Sequence, residues 1–167
     1  MVIVISRESG CGGHEIGYRV AKKLGIPFYD KKIIAGMAQQ KGINTNLPEF
    51  AEVILDDKGS SKDNTSASSA DRKSIQEMVS ELANEDCVVV GRLGMHLLKE
   101  DRDDITSFYI HADEDIKVSR VMERHGVNIE TAKKGMSKID RERQAFIEKV
   151  LGKKWRSISS YNFSLDS

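Results

Sequence analysis

The chain opens on Val2-Ile3-Val4-Ile5, four β-branched residues in a row. Such a run has no polar face, so it reads as a strand buried on both sides, as in a parallel sheet. A glycine-rich turn follows at once, Ser9-Gly10-Cys11-Gly12-Gly13. Ile16, Val20, Ala21 and Leu24 then recur at helical spacing, and Gly25 stands where that helix should stop. A buried strand that enters a helix through glycines can be built only a few ways. It is the form in which backbone amides approach an anion closely and a helix N-terminus points free N–H groups at it.

The same alternation continues. Ile26-Pro27-Phe28-Tyr29 is extended, and Asp30 is placed to cap a helix carrying Ile33, Ile34, Met37 and Ala38, which Gly42 can end. Residues 43–57 are poorly periodic, though Phe50, Val53 and Ile54 could line a short helix. Residues 59–70 are rich in Ser, Asn, Thr and Lys and read as a mobile loop inserted in the domain. Ile75, Met78, Val79, Leu82 and Ala83 make a helical stripe, and Cys87-Val88-Val89-Val90 makes a second buried strand. Met95, Leu97 and Leu98 suggest a short helix. Ile105 to Ile110 is a third strand, and Asp113-Glu114-Asp115 begins a helix with acids at its positive end. The spacing predicts helix from Asn128 to about Leu151 and a last strand over Tyr161 to Leu165. No covering helix follows that strand, although a strand in such a sheet usually receives one. Strands alternating with helices mean βαβ units and a parallel sheet, whose ligands bind at the carboxyl ends of the strands.

Composition narrows the function classes. The 167 residues suit one domain. Lys plus Arg and Asp plus Glu are 26 each, so no overall charge draws the chain to nucleic acid or an anionic membrane. Any anion site is local. The N-terminus has no signal-peptide pattern and no run approaches membrane-spanning length. Cys11 and Cys87 are the only cysteines, which suits a reducing, cytoplasmic setting. The four histidines, His14, His96, His111 and His125, lack ligand spacing, so no metal site is expected from them.

The phosphate-binding pattern G-x-x-x-x-G-K-[ST] is incomplete here. With Gly12 as its last glycine, Gly13 stands where the lysine belongs, and His14 and Glu15 stand where a hydroxyl residue would hold Mg²⁺. Arg7 either supplies a replacement cation or is a plain surface residue. Asp30 is a helix cap, a ligand to a sugar or base, or both. Arg92, two residues past Val90, suits bidentate phosphate binding, with a salt bridge as the bland alternative. Arg120, Arg124, Arg141 and Arg143 could neutralise a moving phosphoryl group from a closing segment, or simply solvate a charged helix. Gly10-Cys11-Gly12 with Asp30 about 18 residues on also mimics a dinucleotide-binding fingerprint, but Glu15 holds its third glycine position.

The stretch Ile3 to Ile16 resembles the opening of the cytidylate kinase-like family, a branch of the nucleoside monophosphate kinases with an altered P-loop. Gly25 to Asp30, Val89-Val90-Gly91-Arg92, Ile110-His111-Ala112 with Arg120, Asp140-Arg141-Glu142-Arg143 and Tyr161-Asn162 extend it in order along nearly the whole chain. The resemblance implies a three-layer P-loop NTPase-type α/β core in a single domain. It implies a helical monophosphate-binding insertion over residues 31–83 and a lid over residues 128–151. It further implies ATP and Mg²⁺ as co-substrates, a CMP-like acceptor held by Asp30 and Arg92, and Arg120, Arg141 and Arg143 at the transferring phosphate. Arg7, Ser9, Gly10, Cys11, Gly12, Gly13, His14 and Glu15 would hold the nucleotide phosphates. Two departures stand out. His14 occupies a position often arginine in the family, and Tyr161-Asn162 replaces tyrosine-aspartate.

Overall fold

A computed structural model describes residues 1–43, 69–92, 94, 102–152 and 154–167. The suggested helices near Phe50 and near Met95, and most of the 59–70 loop, lie outside the described residues. The ordered elements are β1 (Val2–Arg7), α1 (Gly13–Leu24), β2 (Phe28–Tyr29), α2 (Lys31–Gln40), α3 (Ser69–Leu82), β3 (Cys87–Val90), β4 (Ile105–His111), α4 (Glu114–His125), α5 (Ile129–Leu151) and β5 (Phe163–Asp166).

The five strands form one parallel sheet in the order β2-β3-β1-β4-β5. β1 sits in its centre, which is why its residues need no polar face. Strand alternation divides them between two layers. Val2 and Val4 pack with Ile34 and Ala38 of α2 and with Ile75, Met78 and Val79 of α3. Ile3 and Ile5 face the other way, against Ala21 of α1 and Val88, Val90 and Ile110 of the sheet. At about 1.5–3 kcal/mol for each fully buried branched side chain, these two layers carry most of the driving force for the core. A further cluster of Tyr109, Phe146, Ile147, Trp155 and Tyr161 fixes α5 to β4, while Val118, Val121, Ala132 and Met136 join α4 to α5.

The caps follow the sequence. The Asp30 side chain accepts from the Ile33 amide at 2.9 Å and starts α2, and Asn128 does the same with Thr131 for α5. Two boundaries differ from expectation. Ser69 and Ala70, read as the end of a loop, already belong to α3. The last strand begins at Phe163 rather than Tyr161. Tyr161 is instead a core residue whose hydroxyl donates to the Trp155 carbonyl at 2.9 Å. The departure Asn162 likewise has a local task, accepting from both the amide and the hydroxyl of Ser107 at 2.8 Å.

Register places the site. Ile5 pairs with Val90 on one side and Phe108 on the other, so β1 overhangs β3 by two residues, and Arg7 pairs with Ile110. The glycine turn thus begins at the carboxyl edge of the central strand.

Candidate functional site

Beyond β1 the Glu8 amide donates to the Ile110 carbonyl at 3.0 Å, and the chain then leaves the sheet. It enters α1 through Gly12, whose φ of 78° is the left-handed conformation that glycine adopts at little cost. Gly12, at its N-cap, has no side chain to cap α1. Its first amides are therefore free of the usual Ser or Asp partner and open toward a cleft of about 810 Å³. That volume is within the range of small-molecule sites. Arg7, Ser9, His14, Arg120, Arg124 and Arg143 are among the residues that line it. A positive helix end facing arginines favours an anion, and Glu8, Glu15 and Glu123 line the same cleft.

The entry to the loop is held by a buried charge network. Asp140 of α5 is 7% exposed. Its carboxylate accepts from the Ser9 amide at 2.9 Å and pairs with Arg143 at 3.1 Å and Arg156 at 3.3 Å. Arg143 also donates to the Arg7 carbonyl at 3.0 Å. Glu8 pairs with Lys117 of α4 and lies 3.6 Å from Arg156, and the Tyr109 hydroxyl donates to it at 3.2 Å. Burial pushes the Asp140 carboxyl above its ordinary value, against the pull of Arg143, the Ser9 amide and Arg156. Burial also lowers Arg143, which Asp140 partly offsets.

The arginines expected at the transferring phosphate separate into three placements. Arg120, on α4, leans on the loop and donates to the Cys11 carbonyl at 3.2 Å. Arg143 lines the cleft but is tied to Asp140. Arg141 is exposed, outside the cleft lining, and donates to the Ser137 carbonyl of its own helix. Arg124 lines the cleft beside Arg120.

The acceptor candidates sit beside this cleft rather than in its lining. Asp30 caps α2 and also meets His14 Nε2 at 2.9 Å, so it bridges to the head of α1. Burial raises the Asp30 carboxyl, but the bonds from His14 and from the Ile33 and Lys32 amides outweigh it and hold it below the ordinary value. The Arg92 guanidinium lies 5.4 Å from the centre of the Phe146 ring of α5. Glu15 pairs with Arg19 one turn on at 2.7 Å. Cys11 is buried, and burial raises its thiol.

Sequence reading missed the anchoring pair of Glu8 and Asp140, with Lys117, Tyr109 and Arg156. A signal for part of it existed. Ala132, Met136, Asp140, Arg143 and Ile147 fall on one helical stripe, which turns Asp140 and Arg143 inward and Arg141 outward.

Mg²⁺ prefers oxygen ligands. Position 14, where the standard loop offers a hydroxyl, holds an imidazole already engaged by Asp30, and Ser9 is buried with its amide on Asp140. No group of three ligating side chains occurs among the described residues. These side chains do not fit a metal site at the usual place, so the ion enters the account only as part of a magnesium–nucleotide substrate.

Comparison with known proteins agrees with this architecture. A solved structure of an uncharacterized protein from Eubacterium ventriosum superposes with a TM-score of 0.76 at 25% identity, covering 99% of this chain and 87% of that one. The shikimate kinase of Bacteroides thetaiotaomicron superposes with a TM-score of 0.52 at 15% identity, over 99% of this chain and 85% of that one. TT1252 from Thermus thermophilus gives 0.53 at 16% identity, over 100% and 88%. The last two likenesses concern the fold alone. No curated protein matches the chain. The sequence pattern of the cytidylate kinase-like family matches residues 2–167. The chain belongs to the cytidylate kinase-like family.

Proposed function

We propose that the protein is an ATP-dependent nucleoside monophosphate kinase with a CMP-like acceptor. One observation carries the reading: an uncapped helix N-terminus behind a glycine turn, facing a cleft walled by arginines at the carboxyl edge of the central strand. Family membership supports phosphoryl transfer in general.

In the proposed reaction the loop amides and the α1 N-terminus bind the phosphates of MgATP. An oxygen of the acceptor phosphate attacks the γ-phosphorus in line and forms a new P–O bond. The bond from that phosphorus to the β,γ-bridging oxygen breaks, and ADP leaves with the electron pair. The protein orients the groups and neutralises charge, which is most of what such a transfer asks of it. Arg120 and Arg143 face the transferred group. Arg141 would reach it only if α5 moved. Asp30 and Arg92 hold the acceptor, with the insertion over residues 31–83. Ser9, Gly10, Cys11, Gly12, Gly13, His14 and Glu15 shape the donor pocket. The reading includes a cytoplasmic location, supported by two free, buried cysteines, and no nucleic-acid or membrane partner. No helix among the described residues is long and apolar enough to cross a membrane.

The test is diphosphate formation from ATP across CMP, UMP, AMP and GMP. Turnover with CMP foremost supports the proposal. Gly13 and His14, in place of lysine and hydroxyl, favour a second reading, a nucleotide-binding protein without catalysis. ATP binding with no turnover on any acceptor would establish that reading instead. The dinucleotide reading requires tight NADH binding in a fluorescence titration.

A further inference from the structure

The loop lacks its lysine for a reason visible in its packing. Arg7 ends β1 and Gly13 begins α1, and the two lie side by side across the turn. A Cβ on residue 13 would stand 2.6 Å from Arg7 Cβ and 2.9 Å from its Cγ. Rotation about χ1 could move Cγ, but Cβ is fixed by the backbone and no rotamer moves it aside. At this backbone geometry a side chain at position 13 and one at position 7 exclude one another, and here position 7 has the side chain, an arginine.

The Arg7 side chain then runs toward β3. Its Nη1 lies 3.2 Å from where a Cβ of Gly91 would be, and the residue lines the cleft. Its electrostatic setting differs from that of Arg143 and Arg19. Arg143 has Asp140, and Arg19 has Glu15. Among the described residues no carboxylate lies within ion-pair distance of the Arg7 guanidinium. Burial lowers its pKa to about 9, and Arg143 and, less strongly, Arg92 push the same way, with Cys11 and then Asp30 opposing them. A half-buried cation repelled by two others is costly until an anion arrives.

We propose that Arg7 replaces the missing lysine: its guanidinium binds the polyphosphate of the nucleotide at the transfer end, and Gly13 is a glycine to give that arginine room. The proposal rests on the nucleotide-binding reading above. It converts an apparent loss of machinery into an exchange of position, from the first helical residue to the last residue of the strand. The fork of an arginine also suits two phosphate oxygens at once, where a lysine offers a point charge.

The experiment compares wild type, Arg7→Met, Arg7→Lys, Gly13→Lys and the exchange Arg7→Gly with Gly13→Lys. Tripolyphosphate binding is measured by calorimetry and folding by thermal melting. Arg7→Met should weaken binding at least about tenfold, as expected for losing a charged bidentate contact, while the ligand-free protein melts no lower than wild type. Arg7→Lys should fall between. The exchange variant should bind more tightly than Arg7→Met. Wild-type affinity in Arg7→Met, or an exchange variant that is folded yet binds no better than Arg7→Met, would overturn the proposal. Should Arg7→Met fail to fold, the folded Arg7→Lys decides: undiminished affinity there overturns the bidentate role. Failure of the wild type itself to bind tripolyphosphate would bring down the nucleotide-binding reading too, and so is a different result.

Discussion

The two halves of the glycine loop are built on opposite principles. In the entry half, Arg7 to Ser9, backbone and carboxylate groups are held by the protein itself: the Arg7 carbonyl by Arg143, the Glu8 amide by Ile110, the Ser9 amide by Asp140, and the Glu8 carboxylate by Lys117, Tyr109 and Arg156. In the exit half, Gly10 to Glu15, the helix start has no side-chain cap and the facing cations are Arg120 and Arg124. The first half has its amides taken by the protein, whereas the second is held through the Cys11 carbonyl and the His14 and Glu15 side chains and starts its helix without an N-cap side chain. Arg7 belongs to both, with its carbonyl anchored and its guanidinium unpaired among the described residues. Arg143, by contrast, has its guanidinium on Asp140 and on the Arg7 carbonyl.

Removing the main anchor should have the largest effect. Asp140→Ala strips acceptors from the Ser9 amide, Arg143 and Arg156 together, and should cost about 3–5 kcal/mol in urea unfolding, the range for breaking a buried pair. A loss below about 1 kcal/mol would mean that the entry half is held by something else. The pair remains weak evidence of net stability, because ionised Asp140 is disfavoured by burial. Next, Gly17→Ala tests how rigidly the exit half is docked, since a Cβ there would stand 2.4 Å from Val90 Cγ2 and 3.2 Å from Ile5 Cδ1. Overpacking of this kind should cost about 1–3 kcal/mol and lower nucleotide affinity by tilting α1. Tyr109→Phe removes one of several contacts to Glu8 and should cost about 1 kcal/mol.

A carboxyl titration by NMR sharpens the contrast with the smallest perturbation. Asp140 should titrate above, and Asp30 below, the ordinary aspartate value. The linkage signs are opposite. Where Asp140 is raised, the folded state binds more protons than the unfolded one, so its contribution weakens as pH rises from the ordinary value through the raised one. Where Asp30 is lowered, its contribution is present above the ordinary value and is lost as pH falls through the depressed one. Finding both on the same side would remove the distinction drawn between the buried anchor and the hydrogen-bonded cap.

Much of the fold could be read from the chain because its signals are local. A four-residue β-branched run, glycines at helix ends, and Asp30 and Asn128 as caps all act within a few residues. Tyr161 was misplaced because an aromatic before a strand carries no sign of whether it pairs or packs, and packing on Tyr109 and Trp155 decided it. The site was legible as a loop but not as a charge network. Ser9 and Asp140 are 131 residues apart, and Glu8 and Lys117 109 apart, so only the folded sheet brings them together. Arg7 beside Gly13 is of the same kind: the sequence shows an absent lysine, and only packing shows what occupies its space.

The central claim is that this loop serves phosphoryl transfer despite that absence. The direct measurement is ³¹P NMR of the protein with MgATP and CMP. The account predicts disappearance of the γ-phosphate resonance with matched appearance of ADP and CDP. Unchanged spectra for CMP, UMP, AMP and GMP, with ATP demonstrably bound, would contradict it.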